Sequence, residues 1–312
     1  MYAHMSPNQL DGIREMVKGI NGTLTITQQK FDLGEFVVCL GINLYTTQVD
    51  GGYAELFRVQ MREEDLLPAP AFGIRFGVAR DRFLLWRRNA KLTDWKDADT
   101  NPWKPLEVFW ERFNKQMPQR INAGWRITYD ELMQAWKGRS RKNATVYLRG
   151  SNPHEMFVGR KPEATGNEAV TLNDSETRIL LCVDWAQGKD KNKMKKYRDK
   201  YMHTIATSLR LSQAYQASGR LLGGDSWFAG VKNAVAHREH GLHFIGDVKG
   251  GTAFFPKKTL AAWTPTKHGH FITYVSNDYE WPIYAIGVRR GHKKVRHIVS
   301  TCLTTLPAED QT

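Results

Sequence analysis

The sequence contains little cysteine and no long apolar run. Its three cysteines, Cys39, Cys182 and Cys302, lie far apart and form no Cys-x-x-Cys pair. This spacing argues against a disulfide framework and a thiolate zinc site, so we expect each to be a small core residue. The most apolar stretch, residues 36–45, is about ten residues long, whereas a membrane-spanning helix needs about 20. We therefore predict a buried helix there and no membrane association.

Acidic residues are also too few to balance the basic ones. The chain has 32 Asp and Glu against 45 Lys and Arg, which gives a formal net charge of +13. Such an excess predicts a polyanionic partner, and net charge alone does not separate nucleic acid from an anionic membrane. The N-terminal residues lack a basic segment followed by an apolar one, so we predict no secretory signal and an intracellular protein. With 312 residues and 41% hydrophobic content, the chain is long enough for about two globular domains.

The hydrophobic pattern changes character along the chain. Helical spacing runs from Ser6 to about residue 115, and strand-like alternation begins near Trp125. Residues 161–176 are predicted to be polar and flexible, and the apolar residues 177–184 to form a central strand covered on both faces. Further predictions are helices at 31–45, 105–116 and 227–240, and strands at 125–130, 220–225, 242–248, 271–275, 283–288 and 295–301.

Two aspartates terminate predicted strands. Asp130 follows the alternating residues 125–129, and Asp225 follows a short Leu-Leu-Gly-Gly segment. Two carboxylates brought together in a basic protein are stabilised by a cation between them, and oxygen ligands suit Mg²⁺ or Mn²⁺. A second interpretation stays open: Asp130 caps residues 131–136 and Asp225 caps a helix beginning at Ser226. The pattern alone favours capping.

Two basic segments could contact nucleic acid. Residues 289–297 combine arginines and lysines with nearby aromatic residues, which suits phosphate contacts and base stacking, although a solvated hairpin has the same pattern. Residues 189–200 are lysine-rich and could be a nuclear-import patch, a DNA-tracking loop or simply exposed polar surface. His237, His240 and His243 span a predicted helix end without a nearby cysteine, so we predict no zinc site there.

Several of these segments resemble the PiggyBac-type transposases. GWRITYDELM at residues 124–133, followed by KGR at 137–139, is similar to the segment around that family's first catalytic aspartate. GDSWFA at 224–229 resembles its second aspartate signature, at a similar separation. DLGEFVVCLGIN at 32–43 and FGIRFGVARDRF at 72–83 resemble family segments that precede the catalytic region.

The resemblance implies an α/β protein with an RNase H-like core, preceded by a helical region and interrupted by a β-rich insertion. It implies residues 1–117 for the helical region, 118–250 for the core and 251–312 for the insertion. It also implies metal-dependent cutting and joining of DNA, with Asp130 and Asp225 as catalytic residues that bind Mg²⁺ or Mn²⁺. The third acidic ligand does not appear, because Asp247 and Asp278 come too early and Asp310 has different surroundings. We therefore expect the chain to end before the helix that bears the third acid and to be catalytically incomplete.

These inferences give a prediction of function with one alternative. The predicted protein is transposase-derived, acts on DNA in the nucleus and is a possible homodimer. The alternative is a non-catalytic DNA-binding remnant or domesticated protein that keeps the scaffold and the basic surface; a basic globular protein without a nucleic-acid role is a third possibility. The residues predicted to contact nucleic acid are Lys137, Arg139, Arg289, Arg290, Lys293, Lys294 and Arg296.

Overall fold

The chain forms two compact units, residues 1–94 and 95–312. The structure, a computed structural model, describes residues 7–49, 52–90, 101–136, 153–162, 164–263, 267–276, 279–290 and 294–302. No helix within these ranges is both long and apolar enough to cross a membrane. The predicted division at residues 117 and 250 stays a prediction.

The first unit is helical, as its hydrophobic spacing predicted. Its helices are α1 (Pro7–Asn21), α2 (Leu33–Tyr45), α3 (Gly52–Leu56), α4 (Phe72–Phe76) and α5 (Arg80–Asn89). Helix α2 begins two residues later than predicted because Asp32 is its N-cap, with Oδ1 accepting from the Glu35 backbone N–H at 2.7 Å. Residues Phe36, Cys39 and Ile42 of α2 are buried against Phe83 and Trp86 of α5. The predicted helix and the burial of Cys39 are confirmed, but only one face of the apolar stretch is buried, because Leu44 and Tyr45 are exposed.

The second unit is built on one large mixed sheet. Its helices are α6 (Lys104–Arg120), α7 (Lys189–Met194), α8 (His203–Leu211), α9 (Val231–Glu239) and α10 (Lys257–Trp263). Its strands are β1 (Arg126–Ala135), β2 (Met156–Phe157), β3 (Thr165–Asp174), β4 (Leu180–Trp185), β5 (Leu221–Gly224), β6 (His243–Asp247), β7 (Phe271–Ser276), β8 (Ile283–Arg290) and β9 (Lys294–Ser300). Among the described residues, these strands lie in the order β2-β3-β1-β5-β6-β9-β8-β7, and β4 pairs with β3.

The strand directions confirm the predicted RNase H-like core. The first three long strands, β1, β3 and β4, form antiparallel pairs, whereas β5 and β6 run parallel to β1 and to each other. The predicted strand-helix-strand unit is β5-α9-β6. The three strands predicted in the last third are β7, β8 and β9, and they extend the same sheet through the antiparallel β6–β9 pair.

Strand β3 corrects the prediction for residues 161–176, which were expected to be polar and flexible. The strand pairs with both β1 and β4, and most of it is buried. Its polar side chains are satisfied individually: Asn167 Nδ2 donates to the Pro153 carbonyl oxygen at 2.6 Å, and the Thr171 hydroxyl donates to the Asp130 carbonyl oxygen at 3.2 Å. Hydrogen bonds of this kind allow a polar strand to occupy the interior.

Strand β4, predicted to be central, lies at an edge of the described sheet. Its backbone pairs with β3 on one side. On the other side Asn114 of α6 mimics a neighbouring strand, because its Oδ1 accepts from Val183 N–H at 2.9 Å and its Nδ2 donates to the Val183 carbonyl oxygen at 2.8 Å. The α6 helix is thereby fixed to the edge of the sheet.

Candidate active site

The parallel pairing of β1 and β5 brings the two predicted aspartates to one place. Thr128 is the partner of Gly223, the last register pair between these strands. Asp130 and Asp225 each lie two residues beyond this pair, Asp130 inside β1 and Asp225 in the turn after β5. The pairing of strands about 4.8 Å apart therefore brings them to the same region. A Cβ placed on Gly223 would lie 3.0 Å from Thr128 Cγ2, so these two positions share a face of the sheet.

Side-chain alternation along β1 puts Asp130 on the same face as Thr128, and Asp225 begins the turn that directly follows β5. Residues on the opposite face of β1, Ile127 and Tyr129, are buried in the core, whereas Asp130 and Asp225 are exposed. Within the described part of the chain neither carboxylate forms a salt bridge. Both carboxylates are therefore available to a ligand from solvent.

The local contacts decide between the two interpretations of these residues. Asp130 lies inside β1, which continues to Ala135, so the predictions that it ends a strand and caps residues 131–136 are wrong. The strand continues because antiparallel pairing with β3 extends as far as Ala135. Asp225 directly follows β5, as predicted, but it caps a turn rather than a helix: its Oδ1 accepts from Trp227 N–H at 2.9 Å.

The helix after this turn is shorter than predicted. Helix α9 begins at Val231 rather than at residue 227, because the Asp225 carbonyl oxygen accepts from the Phe228 and Ala229 N–H groups at 3.1 and 3.0 Å. The intervening turn folds tightly against the strand: a Cβ on Gly224 would lie 2.7 Å from Phe228 Cβ. Glycine is required at Gly224 by this close approach.

The donor set fits a hard divalent cation. Each aspartate offers carboxylate oxygens, which Mg²⁺ and Mn²⁺ prefer over nitrogen or sulfur ligands. No group of three or more His, Cys, Asp or Glu residues suited to metal binding is found in the ranges that the structure describes. Asp130 and Asp225 are therefore two candidate oxygen donors for such a cation.

Sequence reasoning missed a buried polar network behind the two aspartates. The Tyr129 hydroxyl lies 2.8 Å from His237 Nε2 and 2.9 Å from the Ser208 carbonyl oxygen. His237 Nδ1 faces the Asn233 carbonyl oxygen at 2.7 Å, and the Asn233 side chain contacts the Ser208 hydroxyl at 3.0 Å. Burial lowers the pKa of His237 to about 4 and raises the pKa of Tyr129 well above its usual value, so both side chains are neutral at pH 7.

Both ring nitrogens of His237 are therefore occupied by contacts inside the core. Its neutral ring carries the proton on Nδ1, which donates to a carbonyl, while its Nε2 and the Ser208 carbonyl oxygen both lie within hydrogen-bond distance of the single Tyr129 hydroxyl proton. Of the other two histidines in the predicted cluster, the ring of His240 contacts the Ala236 carbonyl oxygen and that of His243 lies beside Arg238. The one available sequence signal was the spacing of Asn233 and His237 by one helical turn.

Of the basic residues 289–297, those that the structure describes lie in the antiparallel pair β8 and β9, called here the β8–β9 hairpin. Arg290 of β8 is the register partner of Lys294 of β9, and both are exposed. Arg296, two residues further along β9, forms a bidentate ion pair with Asp247 of β6. Arg289 is partly buried. The hairpin therefore offers two adjacent exposed cations at positions 290 and 294, while Asp247 neutralises Arg296. Lys137, Arg139 and Lys293 lie outside the described residues.

The lysine-rich residues 189–200 are partly anchored to the fold. Asp184 of β4 pairs with Lys195 at 2.6 Å and with Arg210 of α8 at 2.5 Å, and all three side chains are largely buried. Lys191 forms an ion pair with Glu107 of α6. Burial lowers the pKa of Lys195 despite its carboxylate partner. Lys191 and Lys195 are therefore anchored to the fold, whereas Lys189, Lys193, Lys196 and Lys200 are exposed, as the interpretation of a polar surface predicted.

Comparisons with known proteins agree with this architecture. The fold is similar to that of piggyBac transposase, solved by cryo-electron microscopy in a synaptic complex with hairpin DNA, with a TM-score of 0.68 and 16% sequence identity. The similarity covers 96% of this chain, which spans 60% of the length of that transposase chain. A search of curated proteins gave no match. The family model described as Transposase IS4 matches residues 5–311, and the chain therefore belongs to this transposase family.

Proposed function

We propose that this transposase-family chain binds DNA and supports metal-dependent cutting and joining of DNA strands, with Asp130 and Asp225 as catalytic metal ligands. The observation that carries the proposal is that both are exposed and that each lies two residues beyond the last register pair of the parallel strands β1 and β5. Transposases of this type generally use divalent metal. A bound Mg²⁺ or Mn²⁺ would activate the attacking water or 3′-hydroxyl and stabilise the leaving oxygen.

The role of the chain's own residues follows from their placement. Asp130 is held in the middle of a paired strand and Asp225 in a hydrogen-bonded turn, so both carboxylates are oriented before a ligand arrives. Preorganised ligands of this kind lose little freedom when they bind. The neutral side chains behind them add no competing charge.

Three observations support DNA as the substrate. The chain has a net charge of +13, its fold matches that of a transposase solved with hairpin DNA, and Arg290 and Lys294 form an exposed cationic pair. Lys137, Arg139, Arg289, Lys293 and Arg296 stay in the proposed contact set. Because the proposed substrate is genomic DNA, we also propose a nuclear location, which imaging of the tagged full chain would test. A homodimer is part of the proposal, and light scattering with and without DNA would test it.

The test is strand nicking of labelled DNA in Mg²⁺, in Mn²⁺ and in chelator. Where a third acidic ligand completes the site, we expect nicking in either metal, and Asp130→Asn and Asp225→Asn should abolish it while DNA affinity is kept or increased by reduced repulsion. Asp11→Asn is a matched control, because Asp11 is exposed on α1 and pairs with Arg14.

Two outcomes would contradict the proposal. Equal nicking by both aspartate variants and the wild type would exclude these residues as metal ligands. DNA binding that is unchanged by chelator, without nicking in any metal, would favour the non-catalytic DNA-binding protein.

A further inference from the structure

Tyr129 connects the two aspartates physically. It precedes Asp130 in β1, and its ring stacks on the ring of Phe228 with centroids 5.0 Å apart and an interplanar angle of 25°. Phe228 belongs to the turn that Asp225 caps, because its N–H donates to the Asp225 carbonyl oxygen. A shift of the Tyr129 side chain would therefore move the surroundings of both carboxylates.

Helix α9 fixes both parts of this contact. Asn233 Nδ2 donates to the Phe228 carbonyl oxygen at 2.9 Å, which holds the Asp225 turn. One helical turn later, His237 contacts the Tyr129 hydroxyl, which holds β1. Ser208 of α8 completes the network through its carbonyl oxygen and its hydroxyl. One helix thus secures the neighbours of both aspartates.

The network is shielded from solvent. Tyr129, Ser208, Asn233 and His237 are each no more than 4% exposed. Water does not reach these groups, so they depend on one another for their hydrogen bonds. The described contacts include no direct hydrogen bond between the network and either carboxylate, so it acts through the backbone of β1 and of the turn.

We propose that Tyr129, Asn233 and His237 are positioning residues that fix the separation of Asp130 and Asp225 for metal binding. This inference rests on the proposed function, since it assigns the network a role at the same site. In this proposal the three residues act on the site indirectly, without contacting the metal, the DNA or the reacting atoms.

The first test measures Mn²⁺ binding by the full chain, from the free-Mn²⁺ signal in electron paramagnetic resonance. Tyr129→Phe keeps the stacked ring and removes the hydroxyl, and we expect Mn²⁺ affinity to fall about tenfold, the lower end of the range for residues that support metal ligands. Tyr215→Phe is the matched control. Tyr215 lies in the same core, and its buried hydroxyl has no hydrogen-bond partner among the described residues, so its loss should leave Mn²⁺ affinity unchanged.

A second measurement needs no metal. Cysteines at positions 130 and 225, introduced as Asp130→Cys and Asp225→Cys with Cys302→Ser, should form a disulfide. They lie two residues beyond the Thr128–Gly223 pair, whose strands are about 4.8 Å apart, within the Cα separation that a disulfide spans. Glutathione disulfide serves as the oxidant and is reduced to two molecules of glutathione. Adding Tyr129→Phe should lower the effective concentration of the thiol pair about tenfold, as for Mn²⁺ affinity, whereas adding Tyr215→Phe should not.

The outcomes separate the two proposals. Equal disulfide equilibria with and without Tyr129→Phe, or no disulfide in the parent pair, would overturn the positioning role. If the disulfide equilibrium shifts as expected but Asp130→Asn binds Mn²⁺ as well as the wild type does, the positioning role stands and the proposed metal site fails. Circular dichroism of every variant confirms that the comparison is made between folded proteins.

Discussion

The buried His237 makes a quantitative prediction about stability and pH. Its folded-state pKa is about 4, against an ordinary value of 6.5, because burial disfavours the charged ring. Between these two values the unfolded chain binds a proton that the folded protein does not. The stabilising contribution is therefore complete above pH 6.5 and is lost as the pH falls toward 4.

The magnitude follows from the difference in pKa. Because of His237, the free energy of unfolding should fall by about 2 kcal/mol between pH 7 and pH 5. The full decrease, reached below pH 4, should be about 3 kcal/mol. The assay is urea unfolding at pH 7, 6 and 5, comparing wild type with His237→Gln, which cannot titrate. Over this pH range the free energy of unfolding of the variant should decrease by about 2 kcal/mol less than that of the wild type.

The comparison of pH slopes isolates one residue. Burial also lowers the pKa of His203, His243 and His297, but these residues are the same in both proteins and cancel in the difference. The absolute stability of the variant does not enter, because each protein is compared with itself at pH 7. Identical slopes for the two proteins would refute the assignment of His237 as a buried neutral base.

Three further predictions concern other parts of the second unit. Replacing both Arg290 and Lys294 by alanine should weaken DNA binding similarly for all sequences. It should also reduce by about 2 the slope of the logarithm of the DNA-binding constant against the logarithm of salt concentration, measured by fluorescence anisotropy. An unchanged slope would exclude the hairpin from the interface. Asp184→Asn leaves two buried cations without their partner and should destabilise the protein by about 3 kcal/mol in urea unfolding, so a loss under about 1 kcal/mol would contradict the buried ion pair. Gly166→Ala places a Cβ onto the Gln134 carbonyl oxygen and should cost about 2 kcal/mol; an unchanged melting temperature would show that β1 and β3 are not so closely paired.

The two aspartates could be predicted because their signals are local. Asp225 follows an apolar dipeptide and two glycines, and Asp130 follows alternating residues, so each motif is contained within about ten residues of sequence. The exact strand end at Asp130 could not be predicted, since β1 continues only because β3 pairs with it. That pairing depends on residues about 40 positions away.

Strand β3 and the positioning network illustrate what local patterns leave out. Asn167 and Thr171 look like loop residues until their hydrogen-bond partners are known, and one of those partners is the Asp130 backbone. Tyr129 and His237 are separated by 108 positions, so neither identifies the other in the sequence. Sequence patterns report on residues close together along the chain, whereas the burial of β3 and the contact between Tyr129 and His237 depend on residues that are close only in space.

The hydrogen bonds of Asn114 have a consequence for self-association. An exposed strand edge is a template onto which another chain can add a strand, and such growth leads to aggregation. At Val183 both main-chain groups of β4 are already occupied by a side chain from the same molecule. Asn114 therefore blocks continuous strand addition across the middle of this edge. A single amide side chain thus protects the protein against open-ended polymerisation.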